Sequence, residues 1–188
     1  TPEGFVASRT IELLRKFKNE QFFLTTSFWG PHAPFLPSSE FAGKHNPKLI
    51  KEWANFHDNL INKPRIQKRY VEFFNRNLTN APWSIWQKLI ARNFDFMSMI
   101  DFQIGRILEE LKKLNLEKDT IVIFTSDHGD TLGCHGGQWD KGPYMYEETY
   151  TVPLVIRHPD FHNRRNINSL VSNMDVFATV LDAAGVSV

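Results

Sequence analysis

An aspartate and a histidine stand side by side where a long apolar run ends. The run is 120–126, and Asp127 and His128 follow it directly. A carboxylate oxygen and an imidazole nitrogen can bind one divalent cation when both point into the same cleft. The dipeptide alone more often indicates a helix-capping aspartate beside a surface histidine, so a metal site needs support from neighbouring residues.

A glycine-rich loop from 129 to 141 supplies some of that support. Glycines allow the backbone of such a loop to approach a ligand closely. Lys141 ends the loop and brings a cation that could neutralise a bound sulfate or phosphate group. His135 is a second candidate for binding the substrate, although a histidine in a loop is more often an ordinary surface residue.

A second histidine, His32, lies in a proline-rich segment that follows another apolar run. Pro31 and Pro34 restrict the backbone on either side of it. An imidazole held in one orientation suits proton transfer to a leaving group. A purely structural histidine is the alternative, and the residues by themselves do not decide between them.

The elements that must position these side chains alternate between helices and strands. The predicted elements, in chain order, are helix 6–17, strand 22–28, helix 92–115, strand 120–126, strand 152–157 and helix 174–184. This order predicts an α/β fold with a mostly parallel sheet flanked by helices. Since ligands bind beyond the carboxyl ends of such strands, we expect the two polar clusters to meet.

Four smaller expectations accompany this fold. The run 120–126 is apolar throughout, which predicts a strand buried on both faces. Gly185 should cap the last helix. The proline-rich stretch 33–82 should form a packed excursion with one or two short helices, and the aromatic-rich segment 53–86 should be local core rather than a pocket wall. Asp101 lies on the apolar stripe of the helix 92–115, which predicts a carboxylate satisfied by a neighbouring group.

Composition excludes several classes of protein. The chain has 188 residues with 22 basic and 21 acidic side chains, a balance that does not favour a nucleic-acid or membrane-surface partner. No apolar run approaches the roughly 20 residues of a membrane-spanning helix. The single cysteine, Cys134, excludes an intrachain disulfide. Any anion-binding function must therefore come from locally placed charges.

Five segments resemble, in the same order, motifs of the sulfatases, a family of the alkaline-phosphatase superfamily. They are 22–35, 101–108, 121–136, 141–154 and 174–181. The most specific is Thr125-Ser126-Asp127-His128-Gly129 with its continuation to Lys141. Ala178 departs from the pattern, because proline is usual there. The resemblance extends from about residue 5 to the end of the chain.

The resemblance implies an alkaline-phosphatase-like α/β fold and a role for each candidate residue. Asp127 and His128 would be two ligands of a divalent metal, most often calcium in sulfatases, although manganese or zinc would also accept a histidine ligand. The metal would act as a Lewis acid on the ester oxygens. Lys141 would contact the sulfate and the bridging oxygen. His32 would assist the leaving group.

Two family motifs are not found in this sequence. Sulfatases have an Asp-Asp metal pair near their N-terminus and a Cys-x-Pro-x-Arg motif whose cysteine is oxidised to formylglycine. Cys134 is followed by His-Gly-Gly-Gln, so it is not that cysteine. We therefore expect residues 1–188 to be a single, partial catalytic domain without sulfatase activity of its own. An exposed sheet edge would favour self-association.

Two other functions stay open. A phosphonate monoester or phosphodiester hydrolase of the same superfamily would have a similar Asp-His pair and lysine. A non-catalytic metal- or anion-binding module is the alternative outside the enzymes. The sequence identifies neither the substrate nor the compartment. A periplasmic, secreted or lysosomal location is expected only if a signal peptide precedes Thr1.

Overall fold

The computed structural model describes residues 1–74, 78, 80–161, 163 and 165–186 of the 188. The helices and strands of these residues are, in chain order, α1 (Pro2–Phe17), a short 3-10 helix (Pro47–Leu49), α2 (Arg65–Phe74), α3 (Trp83–Lys113), β1 (Val122–Thr125), α4 (Cys134–Gly137), α5 (Glu147–Tyr150), β2 (Leu154–Arg157) and α6 (Asn173–Ala183). No helix of the described residues is long and apolar enough to cross a membrane.

α1 begins where the sequence provides a start signal. Thr1 Oγ1 accepts a hydrogen bond from the backbone N–H of Gly4 at 3.1 Å, and Pro2 occupies the first helical position. The helix packs along α3, where Arg15 donates hydrogen bonds of 2.7 and 3.1 Å to Glu110. The predicted helix 6–17 is confirmed and begins earlier than expected.

α3 is the central helix, and Asp101 does not lie on its buried face. It begins at Trp83, earlier than the predicted start at residue 92. The apolar side chains buried along it are Trp86, Ile90, Ala91, Phe96, Met99, Ile100 and Leu111. Asp101 is exposed, so the prediction that it lies on the buried stripe is wrong. Successive helical residues point about 100° apart, and burial of Met99 and Ile100 turns Asp101 towards solvent.

The excursion between α1 and α3 is packed, as predicted, and contains two short helices. An aromatic cluster at its centre is formed by Phe56, Trp86 and Ile90, with Trp53 and Trp83 packed against them. The prediction that segment 53–86 is mainly local core is therefore confirmed. Phe73 is an exception, because its side chain is exposed.

The sheet of the described residues has two strands and corrects the predicted arrangement. β1 and β2 confirm two of the predicted strands in shortened form, but they pair antiparallel, with Ile123 opposite Ile156. The expectation of mostly parallel pairing is not met by this pair. β1 is also not buried on both faces, since Phe124 remains 44% exposed. Val122 and Ile123 of the same strand are half-buried, so the sheet is covered only in part.

The predicted strand 22–28 forms no ladder with any described residue. Its side chains nevertheless alternate between half-buried and exposed, as they would on a strand. A strand requires a neighbour whose backbone groups complete its hydrogen bonds, and no such neighbour lies beside this segment within the described residues. The sequence predicted a buried strand here, and the prediction of burial is wrong, since Phe23 is 77% exposed.

α6 confirms the predicted last helix. Ser172 and Asp175 form a capping box, in which Ser172 Oγ accepts from Met174 N and Asp175 Oδ2 accepts from Ser172 N. Gly185 follows the helix with φ +73, as expected for its C-terminal cap. No residue of α6 is fully buried in the described chain, although Val176, Val180 and Leu181 are half-buried.

Candidate active site

His32 and Lys141 meet although they are far apart in sequence. Lys141 Nζ lies 3.1 Å from His32 Nε2. His32 Nδ1 lies 2.8 Å from the carbonyl oxygen of Ala33, which can only accept a hydrogen bond, so Nδ1 carries the proton. Nε2 then presents its lone pair to the ammonium group of Lys141. The two side chains thus form a hydrogen-bonded pair that is accessible to solvent.

α3 positions the loop that carries His32. Asn93 Nδ2 donates a hydrogen bond of 3.3 Å to the carbonyl oxygen of Pro31. Gly30 lies so close to the helix that a Cβ at this position would be 2.6 Å from Ile100 Cδ1 and 2.7 Å from Phe96 Cζ. Any larger residue would push the loop away from α3, and with it the imidazole of His32.

The aromatic cluster positions the glycine-rich loop that carries Lys141. Trp53 Nε1 donates a hydrogen bond of 2.9 Å to the carbonyl oxygen of Leu132. A Cβ at Gly133 would lie 2.8 Å from Trp86 Cε3, and φ at Gly133 is +91. Glycine is therefore needed here for both the close approach and the backbone conformation. The local core of the excursion thereby supports the base of the loop.

Asp140 is a member of this site that was not predicted. Its Oδ1 accepts a hydrogen bond of 2.7 Å from Lys141 N, and it lies 3.5 Å from Lys141 Nζ and 3.9 Å from His32 Nε2. The buried Thr131 holds its backbone, because Thr131 Oγ1 donates to the Asp140 carbonyl at 2.8 Å. Only its place beside Lys141 in the sequence could have pointed to it.

Asp130 is a second carboxyl group in this neighbourhood. Burial raises the pKa of Asp130, and the nearby negative charge of Asp140 raises it further. Its Oδ1 accepts a hydrogen bond of 2.8 Å from Leu132 N, which links it to the turn of the loop. The site therefore combines a cation and an imidazole with two half-buried carboxyl groups.

Asp127 and His128 follow β1 directly, as the sequence predicted. The His128 ring lies 6.0 Å from the His32 ring between centroids, so the two polar clusters do meet. His128 Nδ1 lies 2.8 Å from the Gly129 carbonyl oxygen, which leaves the Nε2 lone pair free for a ligand. The Asp127 side chain is 85% exposed, and its Oδ2 lies 3.6 Å from His128 Nε2.

His135 has a different set of contacts. Its Nε2 lies 3.1 Å from Glu148 Oε2, and its ring stacks on Tyr146 with 3.6 Å between centroids. Asn55 Nδ2 approaches the same ring at 3.3 Å. These contacts attach the loop to α5 and to the excursion. A role for His135 in substrate binding stays a prediction.

The family model for sulfatases matches residues 5–186. The chain belongs to the sulfatase family. Its family resemblance is therefore confirmed over almost the whole of its length.

Curated sulfatases are similar to this sulfatase chain at moderate identity. A sulfatase of Escherichia coli is 29% identical over 183 residues, which cover 96% of this chain and 35% of that protein. An endo-4-O-sulfatase of Bacteroides thetaiotaomicron is 38% identical over 164 residues, which cover 87% of this chain and 29% of that protein. The sulfatase chain thus spans about a third of the length of these relatives.

Solved structures confirm the α/β alkaline-phosphatase-like fold. One, in complex with its substrate D-glucosamine-2-N,6-O-disulfate, matches with a TM-score of 0.85 at 24% identity, covering 100% of this chain and 49% of that one. The phosphonate monoester hydrolase of Silicibacter pomeroyi matches with a TM-score of 0.82 at 21% identity, and the match covers 98% of this chain and 38% of that one. Likeness at this identity shows a shared fold and leaves the reaction open.

The sulfatase chain has donors that fit part of a metal site. Two atoms 3.6 Å apart, as Asp127 Oδ2 and His128 Nε2 are, can share an ion with bonds of about 2.0–2.6 Å. Among the described residues, however, no group of three or more histidine, cysteine, aspartate or glutamate side chains could hold a metal. Calcium takes about six to eight oxygen ligands, so further ligands would have to come from outside this group.

Cys134, the single cysteine of the sulfatase chain, is buried. Burial, and after it the charge of Glu148, raises the pKa of the Cys134 thiol to about 12. A thiol with such a pKa remains protonated near neutral pH, and the thiolate is the reactive form. Cys134 is therefore a core residue rather than a nucleophile.

Proposed function

We propose that this chain carries the leaving-group and metal-binding part of the active site of a metal-dependent sulfuric-ester hydrolase. The observation that supports this most directly is the contact of 3.1 Å between Lys141 Nζ and His32 Nε2. Membership of the sulfatase family supports the reaction class. The proposed substrate is a sulfate ester on a small molecule or glycan.

The proposed roles follow from the atoms that are accessible. Lys141 Nζ would bind a sulfate oxygen and the bridging ester oxygen, where its charge stabilises the negative charge that develops as the ester bond breaks. The bond from Nδ1 to Ala33 fixes the His32 ring. Nε2, which accepts from Lys141 in this structure, would take up a proton once Lys141 turns to the substrate and would donate that proton to the leaving oxygen. Asp140 would keep the ammonium group of Lys141 beside the imidazole.

Asp127 and His128 would provide two of the ligands of a divalent metal, for which calcium is our first choice and manganese or zinc the alternatives. When bound, such an ion supplies Lewis acidity to the ester oxygens. The bond from His128 Nδ1 to Gly129 presents Nε2 for this purpose. Asp127 contributes an exposed carboxylate beside it.

We further propose that residues 1–188 alone have no sulfatase activity. The formylglycine nucleophile of the family has no counterpart here, and the buried Cys134 has no reactive thiolate to replace it. The test compares the 188-residue chain with the complete protein encoded by its gene, using an aryl sulfate and added calcium. We expect turnover only in the complete protein. Turnover by the 188 residues would contradict this proposal.

Variants of the complete protein test the two roles. Lys141→Ala should lower kcat by about 10²- to 10³-fold, as expected for a group that stabilises developing charge. His32→Ala should cost about 10²- to 10⁴-fold and should spare esters whose leaving groups need no proton. Lys112→Ala, an exposed lysine on α3, is the control. Equal loss for good and poor leaving groups in His32→Ala would exclude a role in protonation.

Hydrolysis of phosphonate monoesters is the second candidate. Its support is the likeness to two phosphonate monoester hydrolases, from Silicibacter pomeroyi and Agrobacterium radiobacter, the latter with a TM-score of 0.80 at 25% identity over 100% of this chain. The assay of the complete protein with a phenylphosphonate ester beside the aryl sulfate decides between them. A higher kcat/KM for the phosphonate would replace the sulfatase proposal.

We also propose that the isolated chain self-associates, with a second copy covering its exposed apolar side chains. Several of these lie on β2, on α6 and between them: Val155, Ile156, Leu170, Met174 and Phe177. Apolar surface of this kind favours association. Phe177→Asp should shift the chain towards monomer in sedimentation velocity, whereas Phe5→Asp on α1 should not. A monomer at all concentrations for the unchanged chain would contradict the proposal.

A further inference from the structure

A groove beside α3 contains positive charges that the proposed sulfatase site does not use. It has a volume of about 400 Å³ and is lined by Gly43, His45, Asn46, Lys88, Arg92 and Asp95, among others. This volume falls within the range of about 300–1,000 Å³ that ligand clefts occupy. None of the proposed catalytic or metal-binding residues lines it, so the groove is separate from the candidate active site.

Lys88 and Arg92 lie one turn apart on α3, where two like charges repel each other. Within the described part of the chain, neither of them forms an ion pair with a carboxylate, and Arg92 makes a hydrogen bond only through Nε, to the Phe35 carbonyl at 3.4 Å. The remaining guanidinium N–H groups and the ammonium group therefore have donors to spare. An anion in the groove would satisfy them and remove the repulsion.

The carboxylate in the groove, Asp95, already accepts hydrogen bonds from the protein itself. Asp95 is buried, and it accepts hydrogen bonds of 2.6 Å from Gly43 N, 2.9 Å from His45 N and 3.0 Å from His45 Nδ1. Its negative charge is thus directed at the loop that carries His45 and not at Lys88 or Arg92. It also fixes the His45 ring, so that Nε2 is left as a further donor when the imidazole is protonated.

We infer that this groove is an anion-binding site for a sulfate or phosphate group. Two cationic side chains line it, the ammonium of Lys88 and the guanidinium of Arg92, and the oriented imidazole of His45 adds a third donor in its protonated form. A tetrahedral oxyanion has enough acceptor oxygens to bind all three at once. The inference does not depend on the proposed function, since the groove shares no residue with the His32 and Lys141 pair.

The test is a titration of the isotope-labelled 188-residue chain with sodium sulfate, and separately with sodium phosphate, followed by NMR. Sodium chloride is varied to hold the ionic strength constant, because salt screens exposed charges. We expect saturable shifts at the Arg92 Nε–H and at the backbone amides of Gly43 and His45. Sodium acetate, which is not tetrahedral, should bind more weakly at these positions.

The decisive variant is Lys88→Ala/Arg92→Ala. It should weaken binding at the groove by about tenfold or more, because hydrogen bonds to charged groups contribute at least that much. Lys112→Ala/Lys113→Ala removes the same charge from exposed positions of the same helix and is the matched control. Lys141→Ala should leave binding at the groove unchanged.

Each other outcome overturns the inference. An absence of saturable shifts at the groove would show that the three side chains do not form a site. An equal loss of anion affinity in the two double variants would show that binding depends on the overall charge of the chain and not on the groove. Shifts confined to His32 and its neighbours, and lost in Lys141→Ala, would assign the anion to the candidate active site. The amide spectrum of each variant checks that the fold is retained.

Discussion

The region up to α5 and the region from 151 to 186 are built from similarly apolar sequence but differ in burial. The first contains both buried clusters, one around Trp86 and one around Phe96 and Met99. In the second, none of the described residues is buried, and Met174 is 84% exposed. An apolar residue is stabilised where another layer covers it, and the described chain supplies such a layer for the two clusters of the first region but fully buries no residue of the second.

This difference divides the candidate active site. His32 and Lys141 belong to the packed first region, where α3 and the aromatic cluster support both loops. Asp127 lies in the first region too, but it follows β1, the strand that pairs with β2 of the second region, and its side chain is 85% exposed. We therefore expect the histidine and lysine pair to be preformed in this chain, whereas the metal ligands depend on further contacts.

The largest expected effect is that of Trp86→Ala in the first region. Removing this buried ring, which packs on Phe56 and Trp139, should lower the free energy of unfolding by about 3–5 kcal/mol. Urea unfolding measures it. Phe177→Ala, at an exposed ring of α6, should cost less than about 0.5 kcal/mol at dilutions where the chain is monomeric. Equal costs would mean that α6 is covered in solution and that the two regions do not differ.

A smaller effect is expected at Asp95, which ties the loop 43–45 to α3. Asp95→Asn replaces an acceptor by a donor facing the N–H groups of Gly43 and His45, at a cost of about 1–3 kcal/mol. Asp119→Asn, at an exposed turn, is the control and should be neutral. Urea unfolding at neutral pH gives both values.

The same aspartate predicts how stability depends on pH. Burial acts to raise the pKa of Asp95, but the hydrogen bonds from Gly43 and His45 outweigh it and lower that pKa below its ordinary value. A carboxylate with a lowered pKa contributes stability above the pKa of the unfolded chain, and this stability is lost as pH falls through the folded pKa. The difference in unfolding free energy between the unchanged chain and Asp95→Asn should therefore shrink below about pH 4. A constant difference from neutral to acidic pH would contradict the assignment.

Ser172→Ala tests whether α6 depends on its cap. The substitution removes the acceptor for Met174 N and should destabilise α6 by about 1 kcal/mol. Hydrogen exchange should show reduced protection of the amides of α6 with little change in the α1 and α3 amides. Reduced protection throughout the chain would show instead that α6 unfolds together with the packed region.

The smallest expected effect concerns the metal. If Asp127 and His128 act alone, calcium should bind no tighter than on the order of 10⁻³ M and should stabilise the chain only slightly at millimolar concentrations. Calorimetry with calcium, manganese and zinc measures the affinity. Asp127→Ala should abolish the binding of the metal, while Asp119→Ala should leave it unchanged. Tight binding that survives Asp127→Ala would place the metal elsewhere.

The local signals of the sequence predicted the long elements well. Periodic apolar residues indicated α1, α3 and α6, and the glycine at 185 indicated where α6 ends. Pairing of strands was predicted poorly, because a ladder needs a neighbour that a local pattern does not specify. The position of Asp101 was wrong for a related reason, since several stripes of α3 are apolar and only packing selects the buried one.

By itself, the sequence determined the sulfatase family, the helices and the polar residues that follow the apolar runs, since these depend on residues close together in the chain. The tertiary structure alone decided which of them meet. It brought His32 to Lys141, added Asp140 to the pair and oriented His135 towards Glu148 and Tyr146. Such contacts depend on how α3 and the aromatic cluster position two loops that are distant in sequence. A local sequence pattern does not specify contacts between residues so far apart in the chain.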